Sequence, residues 1–207
     1  MKKNILTCSM FYVLCSMFYS LLCGAKVVER IVAQVNNEVI FQSELEDYAR
    51  LVRAQTGLEE QGSEVKKKVL EQLIEEKILL QEAEKERVEV SEDEVKTALQ
   101  NLRDKFPTKE EFSKELIKQG LTVVELQDNL RKQLKILKLI EKNVKRKVQI
   151  TNKEVKEYYL QQKNGIKKSE EESKEEIRNF LLDKKFNDNF LKWMKKLKED
   201  AVIEIKL

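Results

Sequence analysis

The residues able to do chemistry in this sequence are almost all carboxylates and amines. Asp and Glu number 37 and Lys and Arg 40 in 207 residues. Paired carboxylates can act as general acid and base, and the runs at Glu75-Glu76-Lys77 and Glu170-Glu171-Glu172 supply such pairs. They recur, however, on the polar faces of periodic segments, which is the pattern of a solvated helix surface. Histidine is absent, so neither a histidine-activated nucleophile nor a histidine proton shuttle is available. Cys8, Cys15 and Cys23 are the only thiols and all lie in the first 25 residues. The remaining chain therefore has no soft or imidazole ligand for zinc. No glycine-rich phosphate loop occurs among five glycines. The expectation is a protein that is not an enzyme, with no catalytic residue, no metal, no other cofactor and no nucleotide.

Binding is the function class that remains. Phe106, Phe112 and Leu116 lie on a thinly apolar segment between about 91 and 119. They are the candidate contact residues for an unfolded polypeptide, and the competing expectation is that they pack against neighbouring helices at 122–147 and 63–87.

These side chains must be carried by helices. A capping box pairs Ser or Thr with Glu three residues on, each side chain satisfying the other's free N–H. The pattern occurs at Ser43/Glu46, Ser91/Glu94, Thr108/Glu111, Thr122/Glu125, Thr151/Glu154 and Ser169/Glu172. It predicts helices over 43–56, 63–87, 91–105, 108–119, 122–147, 151–163 and 169–199, with Gly57, Gly120 and Gly165 as stops. Pro107 separates two of them. The stripe Val123, Leu126, Leu130, Leu134, Leu137, Ile140 and Val144 reads as the core face of the fifth helix. Val65, Val69, Leu70, Leu73, Ile74 and Ile78 read as that of the second, and Phe186, Phe190 and Trp193 as core on the last.

Strand patterns stand only at the ends. Residues 28–35 alternate, Asn36-Asn37 suits a two-residue turn needing positive φ, and Val39 to Phe41 returns. Residues 201–206 alternate again, and a hairpin is marginal alone. The fold class expected is therefore mostly α, a helical bundle with a small antiparallel sheet formed by the N-terminal hairpin and the C-terminal strand. No internal repeat is evident.

The first 25 residues have the layout of a secretory signal peptide: Lys2-Lys3, an apolar run from Ile5 to Leu22, and a small-residue exit that places the cut between Ala25 and Lys26. An uncleaved N-terminal membrane anchor and a lipidated Cys23 are the alternatives. Removing Lys2 and Lys3 leaves 38 basic against 37 acidic residues, a balance with no basic footprint for nucleic acid.

The order of these segments resembles that of SurA-type periplasmic chaperones. The resemblance rests on "IVAQVNNEVIFQSELE" at 31–46, on "VLEQLIEEKILLQEAEKERVEVSEDEVKTAL" at 69–99, on "LRKQLKILKLIEKNVKRKVQITNKEVKEYY" at 130–159, and on "LLDKKFNDNFLKWMKKLKEDAVIEI" at 181–205. PrsA-type foldases and the chaperone domain of trigger factor share parts of that order. The resemblance implies an exported, ATP-independent holdase in the periplasm whose partners are unfolded envelope or outer-membrane proteins. It implies a chaperone core over 26–207, with an N-terminal part at 26–165 and a C-terminal helix and strand at 166–207. In the family a parvulin-type isomerase domain usually follows the "E-V-x-x-Y-Y" helix. Here a short linker leads from Tyr159 to the last helix, so isomerase activity is not carried over. A prolyl isomerase-like foldase and a structural envelope protein with one fixed partner are the alternative functions.

Overall fold

The computed structural model describes residues 29–56, 63–162 and 169–206. The proposed cleavage site, Gly57, Gly165 and Leu207 lie outside the described residues. The elements run β1 (Ile31–Val35), β2 (Glu38–Phe41), α1 (Gln42–Thr56), α2 (Ser63–Lys85), α3 (Glu92–Arg103), α4 (Lys109–Gln119), α5 (Val123–Asn143), a 3-10 turn (Lys145–Lys147), α6 (Asn152–Gln162), α7 (Glu170–Glu199) and β3 (Ile203–Ile205). Among the described residues this is a mostly helical fold with one small antiparallel sheet, ordered β2-β1-β3.

The sheet brings together the two ends of the described chain. β1 pairs with β2 across the Asn36-Asn37 turn and with β3 through Ala33↔Ile205, Gln34↔Glu204 and Val35↔Ile203. Asn36 holds the junction. Its φ is 53°, a left-handed value that asparagine tolerates. Its N–H donates to the Val202 carbonyl at 2.7 Å, and its Oδ1 accepts from the Val202 N–H at 2.8 Å. Its Nδ2 donates to Gln81 Oε1 of α2 at 2.7 Å. One side chain thus ties the turn, the C-terminal strand and the central helix.

Strict alternation along β1 fails at one point. The register with β2 shifts between Ile31 and Ala33, a bulge that sends both Val32 and Ala33 into the core. They meet Ile40, Leu45, Val69, Leu70, Leu73, Ile74 and Ile78 in the main core, so the α2 stripe is a core face as its spacing predicts. A second cluster joins Leu79, Ala83, Leu139 and Met194, with Phe190 and Trp193 half-buried against it. Burying each such aliphatic side chain contributes about 1.5–3 kcal/mol.

Helix ends follow the sequence signals closely. The capping boxes at Ser91, Thr122 and Ser169 are reciprocal, as is the Thr151/Glu154 pair. Thr108 caps α4 by accepting from the Glu111 N–H. At Ser43 the expectation is corrected: α1 begins at Gln42, so Ser43 stands inside the first turn and Glu46 accepts from Gln42 Nε2 at 2.7 Å. α2 ends without glycine. Arg87 takes φ 54°, while the Val88 N–H reaches the Ala83 carbonyl and the Arg87 N–H that of Glu84. This is a Schellman stop with arginine in the position where glycine is usual.

Two of the capped helix starts share a local arrangement whose clamping partners only the structure shows. The stretches Ser91–Val95 and Thr151–Val155 both read hydroxyl-x-x-Glu-Val, and each is clamped by one lysine from the helix it packs on. Lys138 Nζ donates to Glu94 at 2.7 Å and to the Glu89 carbonyl at 2.9 Å. Lys185 Nζ donates to Glu154 at 3.0 Å and to the Gln149 carbonyl at 2.9 Å. Seven residues before each lysine an arginine binds the residue after the cap: Arg131 to Glu92 at 2.7 Å, and Arg178 to Asn152 at 2.6 Å. Val95 and Val155 are buried behind the two clamps. The pairs α3/α5 and α6/α7 are therefore built on one local plan.

Candidate functional site

Three rows of α5 face three different environments. Arg131, Lys135, Lys138 and Lys142 pair with Glu92, Glu84, Glu94 and Glu86, fastening α5 to α2, α3 and the turn after α2. Ile136 and Leu139 enter the second core cluster. The third row is Leu126, Leu130, Gln133, Leu137 and Glu141, at i, i+4, i+7, i+11 and i+15, which is one line along a helix. Every residue of this row lines an open depression. The stripe read from sequence as a core face is corrected in part: Val144 is fully buried and Leu126, Leu130, Leu134 and Ile140 are half-buried, but Val123 and Leu137 are not covered. Leu139 is fully buried, whereas Leu137 is 60% exposed and Val123 is also exposed.

The first depression, about 280 Å³, lies at the N-terminal half of α5. Leu102, Phe106, Phe112, Leu116, Leu121, Leu126 and Leu130 form its apolar lining, with Glu115 and Gln119 at its polar part. Phe106 meets Phe112 edge to face, their ring centroids 5.5 Å apart. The α4 hairpin is fixed at both ends. Thr108 caps its start, and Gly120 ends it at φ 70°, with the Leu121 N–H bonded to the Leu116 carbonyl. That stop delivers Leu121 into the depression. Phe112 and Leu116 are buried and Phe106 is half-buried. The three candidate residues from sequence therefore come together, against α3 and α5; α2 contributes no residue to this lining.

The second depression, about 650 Å³, opens at the other end of the same row. Leu137, Ile140, Val148, Leu182 and Phe186 line it, with Glu141, Lys145 and Asp183 as its charged groups. Phe186 stacks on Phe190 at 6.2 Å while remaining part of this open wall. Sequence reasoning had assigned Leu137, Ile140 and Phe186 to the core. The missing signal was which of two adjacent helical rows the neighbours cover. A third and more polar depression of about 310 Å³ lies beside Trp193, Gln81, Lys196 and Asn36.

The titrating groups around these surfaces are structural. Glu94 is held down to about 2 by the Lys138 ammonium, then by the Ser91 N–H and hydroxyl. Glu154 is held at about 2 by the Thr151 N–H, then by Lys185 and the Thr151 hydroxyl. Glu76 is pushed up by burial, against the pull of Lys132 and Lys77. Among the described residues no group of three or more metal-ligating side chains is assembled, and no helix is long and apolar enough to cross a membrane.

The described residues thus form a helical scaffold that closes a small sheet from both ends and opens two depressions along one row of α5. The model of the SurA-like N-terminal domain matches residues 2–140, and the chain belongs to this family. The Chaperone SurA of Hahella chejuensis is 28% identical over 137 residues, 63% of this chain and 31% of that protein. The Foldase protein PrsA of Clostridium acetobutylicum is 33% identical over 108 residues, half of this chain and 32% of that protein. The chain thus matches about a third of the length of the curated relatives. In structure it is similar to a chain from the pair of SurA-like chaperones of Campylobacter jejuni, the virulence factor PEB4 and the periplasmic protein Cj1289. The TM-score is 0.61 at 14% identity, covering 85% of this chain and 98% of that one, which establishes a shared fold. Between α6 and α7 stand only residues 163–169, so no parvulin domain is inserted at that point.

Proposed function

We propose that the protein is an exported, ATP-independent holdase chaperone that keeps unfolded envelope or outer-membrane proteins from aggregating in the periplasm. The observation that carries this reading is the row of α5 from Leu126 to Leu137, which lines two open depressions, the first of them shared with Phe106, Phe112 and Leu116. Half-buried leucines and the half-buried Phe106 offer weak contacts without a demanding shape. Such contacts hold an unfolded chain reversibly and with little sequence selectivity. Membership of the SurA-like family supports the same role. In this reading residues 1–25 are a signal peptide cut between Ala25 and Lys26, and 26–207 are the working chaperone core.

The test is aggregation suppression. The mature chain is expected to keep a urea-denatured outer-membrane barrel protein soluble on dilution, without nucleotide. No suppression at several-fold molar excess would sink the reading. Mass measurement of the secreted protein's N-terminus checks the processing site.

A further inference from the structure

The small sheet has an open side. Its order β2-β1-β3 leaves β3 at an edge, and among the described residues no strand lies beyond it. The bonds to β1 fix which backbone groups face outward. The Lys206 N–H donates to the Val32 carbonyl at 2.8 Å, and the Val202 carbonyl accepts from the Asn36 N–H at 2.7 Å. In an antiparallel ladder the bonding direction alternates from residue to residue. Residues 202, 204 and 206 therefore turn their backbone groups to β1, and Ile203 and Ile205 turn theirs to the open edge.

The side chains sort in the same way. Ile203 packs against the main core. Ile205 follows it on the same face and is 54% exposed. Glu204 and Lys206 share the opposite face, 3.6 Å apart, with their side chains 60% and 47% exposed. Edge strands are guarded by charges that repel a second strand, lysine above all. Here the two charges have opposite sign and stand two residues apart, so they attract a second copy in one register. A two-fold axis at Ile205 sets Glu204 of each copy opposite Lys206 of the other. The backbone agrees with that register. Each Ile205 exchanges both bonds with its counterpart. Glu204 and Lys206 then fall in the non-hydrogen-bonded pairs, where Cα atoms stand ~4.5 Å apart and side chains are closer. The neighbouring register pairs Ile203 with Ile205 and sets Glu204 against Glu204, which like-charge repulsion disfavours.

We propose that this edge is a self-association site: two copies join β3 to β3 and build one six-stranded sheet ordered β2-β1-β3-β3-β1-β2. The inference is independent of the chaperone reading. Such short strands bury much less than the ~1,600 Å² of a standard interface, so the dimer is weak and forms only at high concentration.

The experiment is sedimentation equilibrium of the mature chain from about 10 μM to about 1 mM, with amide exchange by NMR across the same range. The expected result is a monomer–dimer equilibrium with a dissociation constant of about 0.1–1 mM. The Ile205 amide should gain protection as concentration rises, while the Glu204 amide, which faces β1, should not change. Glu204→Lys and Lys206→Glu each set like charges opposite one another and should weaken self-association by about tenfold. Mixed one to one, the two variants regain opposite charges at both pairs and should associate as the wild type does. Ile205→Pro removes the outward N–H and no bond to β1, so it should abolish the dimer and leave circular dichroism unchanged. A wild type that stays monomeric at about 1 mM, or charge variants that fail to associate when mixed, overturns the inference. Protection of the Ile205 amide that appears only when an unfolded protein is added also overturns it, and assigns the edge to a foreign strand.

Discussion

Replacing Asn36 tests how the ends of the fold are joined. Its side chain makes two bonds, from the Val202 N–H to Oδ1 at 2.8 Å and from Nδ2 to Gln81 Oε1 at 2.7 Å. Its backbone sits at φ 53°. Asn36→Gly keeps that conformation at no steric cost and removes both side-chain bonds. At about 0.5–1.5 kcal/mol each, the loss is about 1–3 kcal/mol. Asn36→Ala removes the same bonds and adds a Cβ in left-handed backbone, costing a further ~1 kcal/mol or more. The expected order of stability is wild type, then glycine, then alanine. Urea unfolding followed through Trp193, the only tryptophan, measures it directly. The slope with denaturant should not change, because the surface exposed on unfolding is the same. Amide exchange at Val202 should quicken in both variants, since its acceptor is gone. A glycine variant within ~0.5 kcal/mol of wild type would refute the idea that Asn36 joins the sheet to α2. Alanine equal to glycine would refute the positive-φ part alone.

Arg87→Gly should stabilise the protein by about 0.5–1 kcal/mol in the same assay, because it relieves a left-handed arginine at the Schellman stop of α2. Glu94 and Glu154 have folded values lowered to about 2, so their contribution is full above the ordinary carboxylate range and is lost as pH falls through it toward about 2. Lys138→Met and Lys185→Met should each raise the carboxyl titration of the clamped glutamate, read by NMR, and end that group's acid-induced loss at a higher pH with a smaller total loss. Glu76 behaves oppositely: burial raises its value, so Glu76→Gln should raise the melting temperature near neutrality and lose that advantage in acid. Deleting residues 201–207 removes β3 and leaves β1 paired on one edge only, so it should lower the melting temperature and expose the hairpin amides to exchange. Unchanged stability would contradict the three-stranded sheet.

Local chemistry explains which elements were legible beforehand. Ser91, Thr122, Thr151 and Ser169 start helices because the hydroxyl, the Glu three residues on and two backbone N–H groups satisfy one another within one turn. Gly120 stops α4 because its φ of 70° costs glycine nothing. The Asn36 turn and the alternation of 203–205 were readable for the same reason. The α5 stripe was not. Leu137 and Leu139 stand about 200° apart around the helix, and the spacing of three and four picks out Leu137 as the core position. Only the packed neighbours decide that Leu139 is buried and Leu137 is open. The clamps of Lys138 on Glu94 and of Lys185 on Glu154 were invisible too, because a lysine 31 or 44 residues away from its partner carries no local signature.

Sequence alone determined the helical class, the two strand-forming ends, and the absence of histidine and of thiols beyond Cys23. Those follow from residue type and from interactions within a turn. Tertiary structure alone decided that Phe106, Phe112 and Leu116 share one depression with α5, that Leu137 and Phe186 line a second, and that Asn36 joins three elements. Each of those depends on which helix covers which row, and the pattern along the chain is the same for a row that is covered and for one that is left open.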